Sequence, residues 1–309
     1  MNIGIAAENR PEEKRVILIP NELKEIASSH SVFVEKGAGI GIGIKDSEYK
    51  NIGVEISDAK KVYSCKLVVR LKEPREEELK LMRPGLAVMS MLHLPGCPEM
   101  RKLLEKYRIT GIAMDEIRDQ FGRRKIEALY ETGYIAMEKG FELWGGDPSK
   151  CVVKIMGYGN LAFGAIQCAA RKFAKLTVLN KKDFKEMQRH IPDTDILVNA
   201  INWPFEKRGK EFFVTKDMTR LFKKGAVILD LVSNPPGHSP IETMHPTHLD
   251  DISYEVDGII HTSCWGWPGL DPTGISKRYS MQVAPIVKEI ADSGLNNLPK
   301  HIKNATFIP

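Results

Sequence analysis

Short apolar segments that alternate with helical patterns constrain this 309-residue chain more than any other feature of its sequence. Segments rich in valine and isoleucine recur along both halves. The stretches between them carry apolar residues at the spacing of an amphipathic helix. Continuous apolar strands separated by helices are typical of a parallel sheet covered on both faces. The sequence therefore predicts an α/β fold. The predicted strands are 2–7, 31–35, 67–71, 86–92, 109–113, 152–156, 176–179, 196–200 and 226–231.

The strand pattern falls into two series, and the length suits two domains of about 150 residues each. Residues 124–143 read as one long helix between the two series, ended by Gly145, Gly146 and Pro148. The last forty residues show one helical segment, 281–292, and no clear strand, so we expect them to pack on the first lobe. We predict a discontinuous substrate domain, 1–125 with 269–309, and a dinucleotide-binding domain, 126–268.

Composition narrows the class of protein. Lysine and arginine (45) exceed aspartate and glutamate (40) by five, and the excess is spread along the chain. A nucleic-acid binder would show a dense basic stripe, so small anionic ligands are the expected partners. Glu8 and Glu12 interrupt any secretory signal, and no apolar segment is long enough to span a bilayer. We expect a cytoplasmic protein without a membrane partner.

Five scattered cysteines, with no C-x-x-C pair, favour buried free thiols over a disulfide framework or a zinc site. No metal is predicted.

Two glycine-rich stretches differ in what they predict. In residues 37–43 the glycines fall at every second position, which indicates a loop. In the second stretch, Gly157 and Gly159 follow a predicted strand and precede a helix. Gly157 suits a tight turn, and Gly159 lets backbone N–H groups approach a pyrophosphate. Gly164 is two positions later than usual and is expected to allow helix–strand packing. The sequence predicts a dinucleotide site here.

The remaining candidate cofactor residues lie at the ends of the second series of strands. They are Asn160, Leu161, Asn180, Lys181, Lys182, Asn199, Ala200, Ser233 and Asn234. The strand 176–179 ends in Asn180 and two lysines, where an NAD site would carry a carboxylate. This favours NADP, whose ribose bears a 2′-phosphate, although Asp183 leaves NAD open.

Three basic residues follow strands of the first lobe. Arg15 comes after the first strand, Lys72 closes 67–71 and His93 closes 86–92. The carboxyl ends of parallel strands line the ligand crevice. Arg15 suits a bidentate carboxylate clamp, and Lys72 and His93 suit proton transfer.

The chain resembles the alanine dehydrogenase and pyridine nucleotide transhydrogenase family. The resemblance is carried by residues 3–8, 14–16, 70–74, 92–94, 254–261 and 268–269, and so spans nearly the whole chain. It implies two Rossmann-like lobes with a cleft between them. It also implies a substrate carboxylate on Arg15, proton transfer by Lys72 and His93, and commonly a homo-oligomer. In its compact length the chain is most similar to carboxyethylornithine synthase. It is more distantly similar to saccharopine dehydrogenase.

Two departures from the family bear on function. Asn234 stands where the family generally has an aspartate in the nicotinamide pocket, and an amide cannot accept a proton. Trp265 and Trp267 suit either a pocket for a larger substrate or the core. We therefore predict an NAD(P)-dependent oxidoreductase that condenses a 2-oxo acid with an amino acid and reduces the imine. Alanine dehydrogenase is the alternative, and a non-catalytic dinucleotide-binding regulatory protein is the second alternative.

Overall fold

The structure, a computed structural model, describes residues 1–232 and 238–309 and divides the chain into two compact units. The first unit comprises Met1–Glu127 and Pro272–Pro309, and the second comprises Ala128–Asp271. Which unit holds the substrate and which the cofactor stays a prediction.

Helices and strands alternate along most of both units. The first unit begins with β1 (Asn2–Ile5), α1 (Pro20–Ser29), β2 (Ser31–Glu35), α2 (Asp46–Lys50), β3 (Glu55–Ser57), α3 (Ala59–Tyr63), β4 (Leu67–Lys72), α4 (Glu76–Leu79), β5 (Ala87–Met91), α5 (Pro98–Tyr107) and β6 (Thr110–Ala113). The second unit contains α6 (Leu129–Trp144), β7 (Val152–Met156), α7 (Asn160–Arg171), β8 (Lys175–Leu179), α8 (Met187–His190), β9 (Ile196–Asn199), α9 (Lys216–Thr219), β10 (Val227–Asp230), β11 (Tyr254–Val256) and β12 (Ile259–Thr262). The first unit is completed by α10 (Pro272–Ser293), α11 (Lys300–Lys303) and β13 (Thr306–Phe307).

The sheet of the first unit has the strand order β13-β6-β5-β4-β1-β2-β3. All neighbours are parallel except β13, which pairs antiparallel with β6. The chain moves outward from β1 through β2 and β3 and then crosses to β4 on the other side. The carboxyl ends of β1 and β4 therefore form a topological switch point, the usual place for a ligand in an open α/β sheet.

The sheet of the second unit has the order β11-β12-β10-β9-β7-β8 among the described residues, with only β11 antiparallel. The chain leaves β7 for β8 on one side and returns to β9 on the other, which places a second switch point between β7 and β9. The predicted α/β class with mostly parallel sheets is confirmed.

Burial explains why these strands read as continuous apolar segments. On β9, Ile196 and Val198 join one buried cluster, while Leu197 between them joins another. On β10, Leu229 belongs to the first of these clusters and Ile228 to the second. Because successive side chains point to opposite faces, both faces of this sheet carry a hydrophobic layer.

The long helix predicted over 124–143 begins later than predicted. Residues 118–124 form a tight hairpin instead, with a bridge between Arg118 and Arg124. The Asp119 carboxylate accepts hydrogen bonds from the N–H groups of Phe121 and Arg123, both at 2.9 Å. These bonds pair the backbone N–H groups of the turn, and the helix starts only at Leu129. Gly145, with φ of 77°, ends the helix as predicted.

The C-terminal segment also differs from its prediction. Its helix α10 spans Pro272–Ser293 rather than 281–292, and the segment contains the strand β13. Thr306 pairs with Ile112 and Phe307 with Gly111. A strand of two residues is too short to show an alternating pattern, so the sequence carried no signal for it.

Within residues 1–232 and 238–309, no helix combines the length and apolarity needed to cross a bilayer.

Candidate active site

Lys72 is the last residue of β4, where the strand pairing becomes irregular. The register between β4 and β5 shifts between Val69 and Lys72, and pairing resumes at Lys72 with Met91. An irregularity of this kind changes the direction in which a side chain leaves the sheet, and it is common beside functional sites. The structure therefore places Lys72 at the switch point of the first sheet.

A buried carboxylate holds the backbone of this strand end. Glu8, just after β1, accepts the N–H of Leu71 at 2.8 Å and contacts the N–H of Lys72 at 3.3 Å. Its second oxygen lies 3.2 Å from the guanidinium of Arg70, which is fully buried. Burial raises the pKa of Glu8, and the charge of Arg70 offsets only part of that effect. The two strands of the switch point are thus joined by an ion pair.

Arg15 is buried and bonded to Glu13 two residues earlier. Its Nε donates to Oε1 of Glu13 at 2.6 Å, and its Nη2 donates to Oε2. Burial disfavours the charge of Glu13, but the bonds to Arg15 outweigh it and lower the pKa of Glu13. Glu13 occupies only the side edge of the guanidinium. Nη1 makes no hydrogen bond to a described residue, so the end edge, Nη1 with Nη2, can receive a carboxylate.

The C-terminal helix α10 supports the segment that carries Arg15. Ser276 accepts the N–H of Val16 at 3.1 Å, and Ser280, one turn later, accepts the N–H of Ile19 at 3.0 Å. From the other side, Gly41 packs so closely that an added Cβ would lie 2.3 Å from the carbonyl oxygen of Lys14. The alternating-glycine stretch, predicted as a loop, is a turn with a short 3₁₀ segment. It supports the Arg15 segment.

Lys72 lies within electrostatic range of Arg15. Burial first, and then the positive charge of Arg15, lower the pKa of Lys72. Its amine forms no hydrogen bond or ion pair with a described residue. A lysine that is partly desolvated and unpaired can exchange a proton closer to neutral pH than a surface lysine can.

His93 lies two residues beyond β5 and is bonded twice to one buried carboxylate. Its backbone N–H donates to Oδ1 of Asp115 at 3.3 Å, and its Nδ1 lies 3.2 Å from Oδ2. The hydrogen bond with Asp115 raises the pKa of His93, and the same contact lowers that of Asp115 despite burial. His93 has a φ of 47°, a left-handed conformation that is unusual for a residue with a side chain. Its imidazole is 63% exposed.

The structure brings Arg15, Lys72 and His93 into one electrostatic neighbourhood of the first unit, since the charge of Arg15 lowers the pKa of Lys72 and the charge of Lys72 acts on the pKa of His93. Sequence reasoning missed Glu13 and Asp115. The spacing Glu13-x-Arg15 was a usable signal for an ion pair, whereas Asp115 is 22 residues from His93 and meets it only because β5 and β6 are adjacent. The catalytic and binding roles of all these residues stay predictions.

In the second unit, the glycine turn lies between β7 and α7. Gly157 has a φ of 113°, and an added Cβ would lie 2.8 Å from the carbonyl oxygen of Ala200. An added Cβ on Gly159 would meet no heavy atom within 4 Å. Gly159 caps the start of α7, followed by Asn160 and Leu161. A tight turn with open space at a helix N-terminus fits the pyrophosphate of a dinucleotide.

Gly164 has a different role from the predicted helix–strand packing. An added Cβ would lie 1.9 Å from the carbonyl oxygen of Tyr130 in α6, and the same holds for Gly133 against Leu161 in α7. The two glycines let the two helix backbones approach each other. Gly164 therefore serves helix–helix packing because its missing side chain makes room for α6.

The end of β8 carries a carboxylate after all, contrary to the expectation from the sequence. Asn180, the residue after β8, donates its N–H to Oδ2 of Asp183 at 2.7 Å, and its own side chain accepts the N–H of Lys182 at 2.9 Å. A 3₁₀ turn over Asp183–Glu186 folds the acidic side chain back to the strand end. Lys181 and Lys182 are exposed. This strand end therefore favours a 2′-phosphate less than its sequence predicts.

Asn199 ends β9 beside the glycine turn, in register with Met156 of β7. It is fully buried, and its Nδ2 finds no acceptor among the residues that the structure describes. A buried amide donor without a partner is costly, so it indicates a ligand acceptor at this strand end. Ala200 follows, bonded through its N–H to Met156. Ser233 and Asn234 lie outside the described residues.

The two tryptophans, Trp265 and Trp267, differ in burial. Trp267 is buried in the core of the second unit and donates its indole N–H to the carbonyl oxygen of Asp230 at 3.3 Å. Trp265 is half exposed. In the described part of the chain, no three histidine, cysteine or acidic side chains are grouped so that they could hold a metal ion. All five cysteines belong to that part and are free thiols.

Two α/β units, one of them with a glycine turn suited to a dinucleotide, define the class of two-domain dehydrogenases. The family profiles for the N-terminal and C-terminal domains of alanine dehydrogenase/PNT match residues 4–136 and 170–306. The chain belongs to the alanine dehydrogenase and pyridine nucleotide transhydrogenase family. It is an oxidoreductase that uses a nicotinamide dinucleotide.

Similar proteins of this family match nearly the whole chain. The alanine dehydrogenase of Bacillus subtilis is 28% identical over 98% of this chain and 92% of its own length. That of Staphylococcus haemolyticus is 27% identical over 95% and 88%. A solved L-alanine dehydrogenase superposes with a TM-score of 0.87 at 24% identity, covering 99% of this chain and 94% of that one. A transhydrogenase from Sinorhizobium meliloti superposes with a TM-score of 0.82 at 20% identity, covering 94% and 95%. These two likenesses concern the fold.

Proposed function

We propose that this protein is an NAD-dependent amino acid dehydrogenase of the alanine type, which interconverts a small L-amino acid with its 2-oxo acid and ammonia. The observation that carries the proposal is the arrangement around Arg15, whose free guanidinium edge lies in electrostatic range of an unpaired lysine with a lowered pKa. The similarity to alanine dehydrogenases over nearly the full chain supports it.

Arg15 would bind the substrate carboxylate at its end edge while Glu13 keeps the side edge. Two parallel N–H···O bonds fix a carboxylate in position and in plane. Because Glu13 neutralises much of the charge of Arg15, the pair is stable when no substrate is bound. The carboxylate of the substrate then adds to the pair without displacing Glu13.

Lys72 would act on the oxygen that the 2-oxo acid carries at C2. As an ammonium it donates a hydrogen bond to the carbonyl oxygen, which makes the carbon more open to attack by ammonia. It then supplies a proton as water leaves the carbinolamine, and an imine remains. The lowered pKa of Lys72 makes this proton easier to give up than that of a surface lysine. The bound dinucleotide supplies or accepts the hydride at the substrate carbon.

His93 would exchange protons with solvent and with the amine. Its exposed imidazole suits that exchange, and Asp115 fixes the ring by holding Nδ1, which leaves Nε2 for the substrate. In the direction of amino acid oxidation, the same groups act in reverse, with His93 accepting the proton of the attacking water.

The residues that would hold the cofactor are those of the second switch point. The glycine turn would face the pyrophosphate, and the amide of Asn199 would donate to an acceptor of the ligand. For the ribose we propose NAD rather than NADP, since the carboxylate of Asp183 at the end of β8 suits a 2′-hydroxyl and disfavours a 2′-phosphate.

Reductive condensation of a 2-oxo acid with an amino acid is the second candidate. The observation that favours it is Asn234, an amide where the family generally has an aspartate. Both reactions pass through an imine that is reduced, and they differ in the amine that forms it. The resemblance to carboxyethylornithine synthase or saccharopine dehydrogenase and the homo-oligomer stay predictions.

Steady-state oxidation of NADH and of NADPH distinguishes these candidates. The purified protein is assayed with pyruvate or 2-oxoglutarate against ammonia, ornithine and lysine, and in reverse with L-alanine and NAD. Ammonia-dependent oxidation of NADH with pyruvate supports the proposal. Turnover that requires an amino acid as the amine moves the assignment to the second candidate. Tight dinucleotide binding without turnover across the panel indicates the non-catalytic regulatory protein. Lys72→Met, which should bind dinucleotide normally but not turn over, is the control.

A further inference from the structure

A cavity of about 930 Å³ lies in the first unit, beside the carboxyl ends of β5 and β6. It is lined by the turn after β5, by α5, by the 118–124 hairpin and by the C-terminal residues 300–307. The edge strand β13 forms one side of it. None of the roles proposed above uses this cavity.

Three cationic side chains line this cavity and form no ion pair with a carboxylate of the described residues, although Lys125 lies within electrostatic range of Asp119. They are Arg101, Lys125 and Lys300. The guanidinium of Arg101 lies 5.2 Å from the ring centre of Phe307, and the amine of Lys125 lies 3.4 Å from Nε2 of His301. With Arg118, these cations outnumber the two carboxylates of the lining, Glu116 and Asp119.

The acidic groups of the cavity are already engaged. Glu116 pairs with Arg118 at 3.3 Å. The carboxylate of Asp119 accepts hydrogen bonds from backbone N–H groups of the hairpin. Nε2 of His301 lies 3.1 Å from Glu289, yet the same nitrogen faces Lys125. One imidazole nitrogen cannot both donate to a carboxylate and accept from an ammonium. If His301 donates to Glu289, the ammonium of Lys125 is left without an acceptor.

We propose that this cavity binds a small organic or inorganic polyanion, of the tricarboxylate or pyrophosphate class. Arg101, Lys125 and Lys300 would each donate to its oxygens. The apolar part of the lining includes Leu94 and the ring of Phe121, which is 69% exposed. That surface suits the carbon body of a carboxylate ligand. Neither Arg15 nor Lys72 lines the cavity, so the proposal does not rest on the proposed function.

The cavity shares its lining with the loops of the His93–Asp115 pair. Leu94 and Pro95 directly follow His93, and Ala113 and Glu116 flank Asp115 within three residues. A ligand that contacts both loops would restrain the geometry of that pair. Ligand binding, which depends on the metabolite concentration, would therefore affect the loops that carry the His93 imidazole.

Isothermal titration of the full chain with citrate and, separately, with pyrophosphate tests the proposal. Lys125→Gln with Lys300→Gln should weaken binding of at least one of them roughly tenfold, since two exposed charges are removed. Lys102→Gln with Lys303→Gln is the matched control, because both lysines are exposed, lie outside the cavity and remove the same charge. The arm that binds identifies carboxylate or phosphate as the ligand chemistry.

Four results would overturn the proposal. They are the absence of binding of both anions, unchanged affinity in the cavity variant, an equal loss in the control pair, and a cavity variant that lowers the oligomeric state in sedimentation. The last result would assign the cavity to contact between copies of the chain. A second measurement supports the proposal if citrate shifts the NMR signal of the His93 imidazole. This shift should be lost in the cavity variant and kept in the control pair.

Discussion

Val16 donates its backbone N–H to the hydroxyl of Ser276 at 3.1 Å, although 260 residues separate them. Both groups are buried, and Val16 directly follows Arg15. The C-terminal helix α10 is therefore part of the support of the candidate substrate site. A carboxylate clamp in a buried segment needs such partners, because an unpaired buried N–H is costly.

Ser276→Ala should lower the free energy of unfolding by about 1–3 kcal/mol, since it leaves the N–H of Val16 buried and unpaired. The same variant should raise KM for the 2-oxo acid more than it lowers kcat, because Arg15 loses its positioning. Denaturant unfolding and steady-state kinetics measure the two effects. Ser293→Ala, near the exposed end of the same helix, should change stability by less than about 0.5 kcal/mol. Equal stability of the two variants would contradict the role of Ser276.

Asp115→Asn should lower the pKa of the His93 imidazole. In the wild type, the hydrogen bond that His93 donates to Asp115 raises that pKa. The pairing therefore stabilises the fold below the ordinary histidine value of about 6.5, and this stabilisation is lost as pH rises through the raised value. The groups that face the imidazole also include Glu73, which raises its pKa, and Lys72, which lowers it.

An NMR titration of the histidine signals, assigned with His93→Gln, measures this shift without any assay of activity. Glu116→Gln, next to Asp115 but paired with Arg118, should leave the His93 signal where it is. A His93 pKa that is the same in Asp115→Asn and in the wild type would remove Asp115 from the site.

Glu13→Gln should weaken the hold on Arg15 and change the titration of Lys72. The amide can still accept from Nε but offers no second acceptor to Nη2, so KM for the 2-oxo acid should rise roughly tenfold. Loss of the negative charge of Glu13, which raises the pKa of Lys72, should lower that pKa further. The alkaline limb of kcat/KM then moves to lower pH. Glu12→Gln, at a neighbouring exposed position, serves as the control. If the alkaline limb of the kcat/KM profile does not move in Glu13→Gln, the proposed effect of Glu13 on Lys72 is wrong.

Gly164→Ala and Gly159→Ala should separate a packing glycine from a ligand-binding glycine. A methyl group on Gly164 would lie 1.9 Å from a backbone oxygen of α6, so the second unit should lose roughly 3 kcal/mol or more. A methyl group on Gly159 meets open space, so stability should hold while affinity for NADH falls. Thermal unfolding and fluorescence titration of NADH give both readouts. A stable Gly164→Ala protein would contradict the close approach of α6 and α7.

Sequence reasoning reached the fold class because the buried parallel strands are continuous apolar segments, and period and composition are local properties. It proposed Arg15, Lys72, His93 and the glycine turn as candidates because strand ends and glycine spacing can be read along the chain. It misplaced the start of α6, since the hairpin before it is closed by the side chain of Asp119. It also missed β13, which exists only because β6 offers a free edge.

The sequence by itself determined which segments become strands, which strand ends carry charge and where a dinucleotide turn is possible. Only the tertiary structure decided the partners of those groups. Asp115 reaches His93 through strand adjacency, Asp183 returns to the end of β8 through a 3₁₀ turn, and Gly164 faces α6 rather than a strand. The physical reason is that hydrogen bonds and close packing depend on distances in space, which strand order and helix packing set and which spacing along the chain does not record.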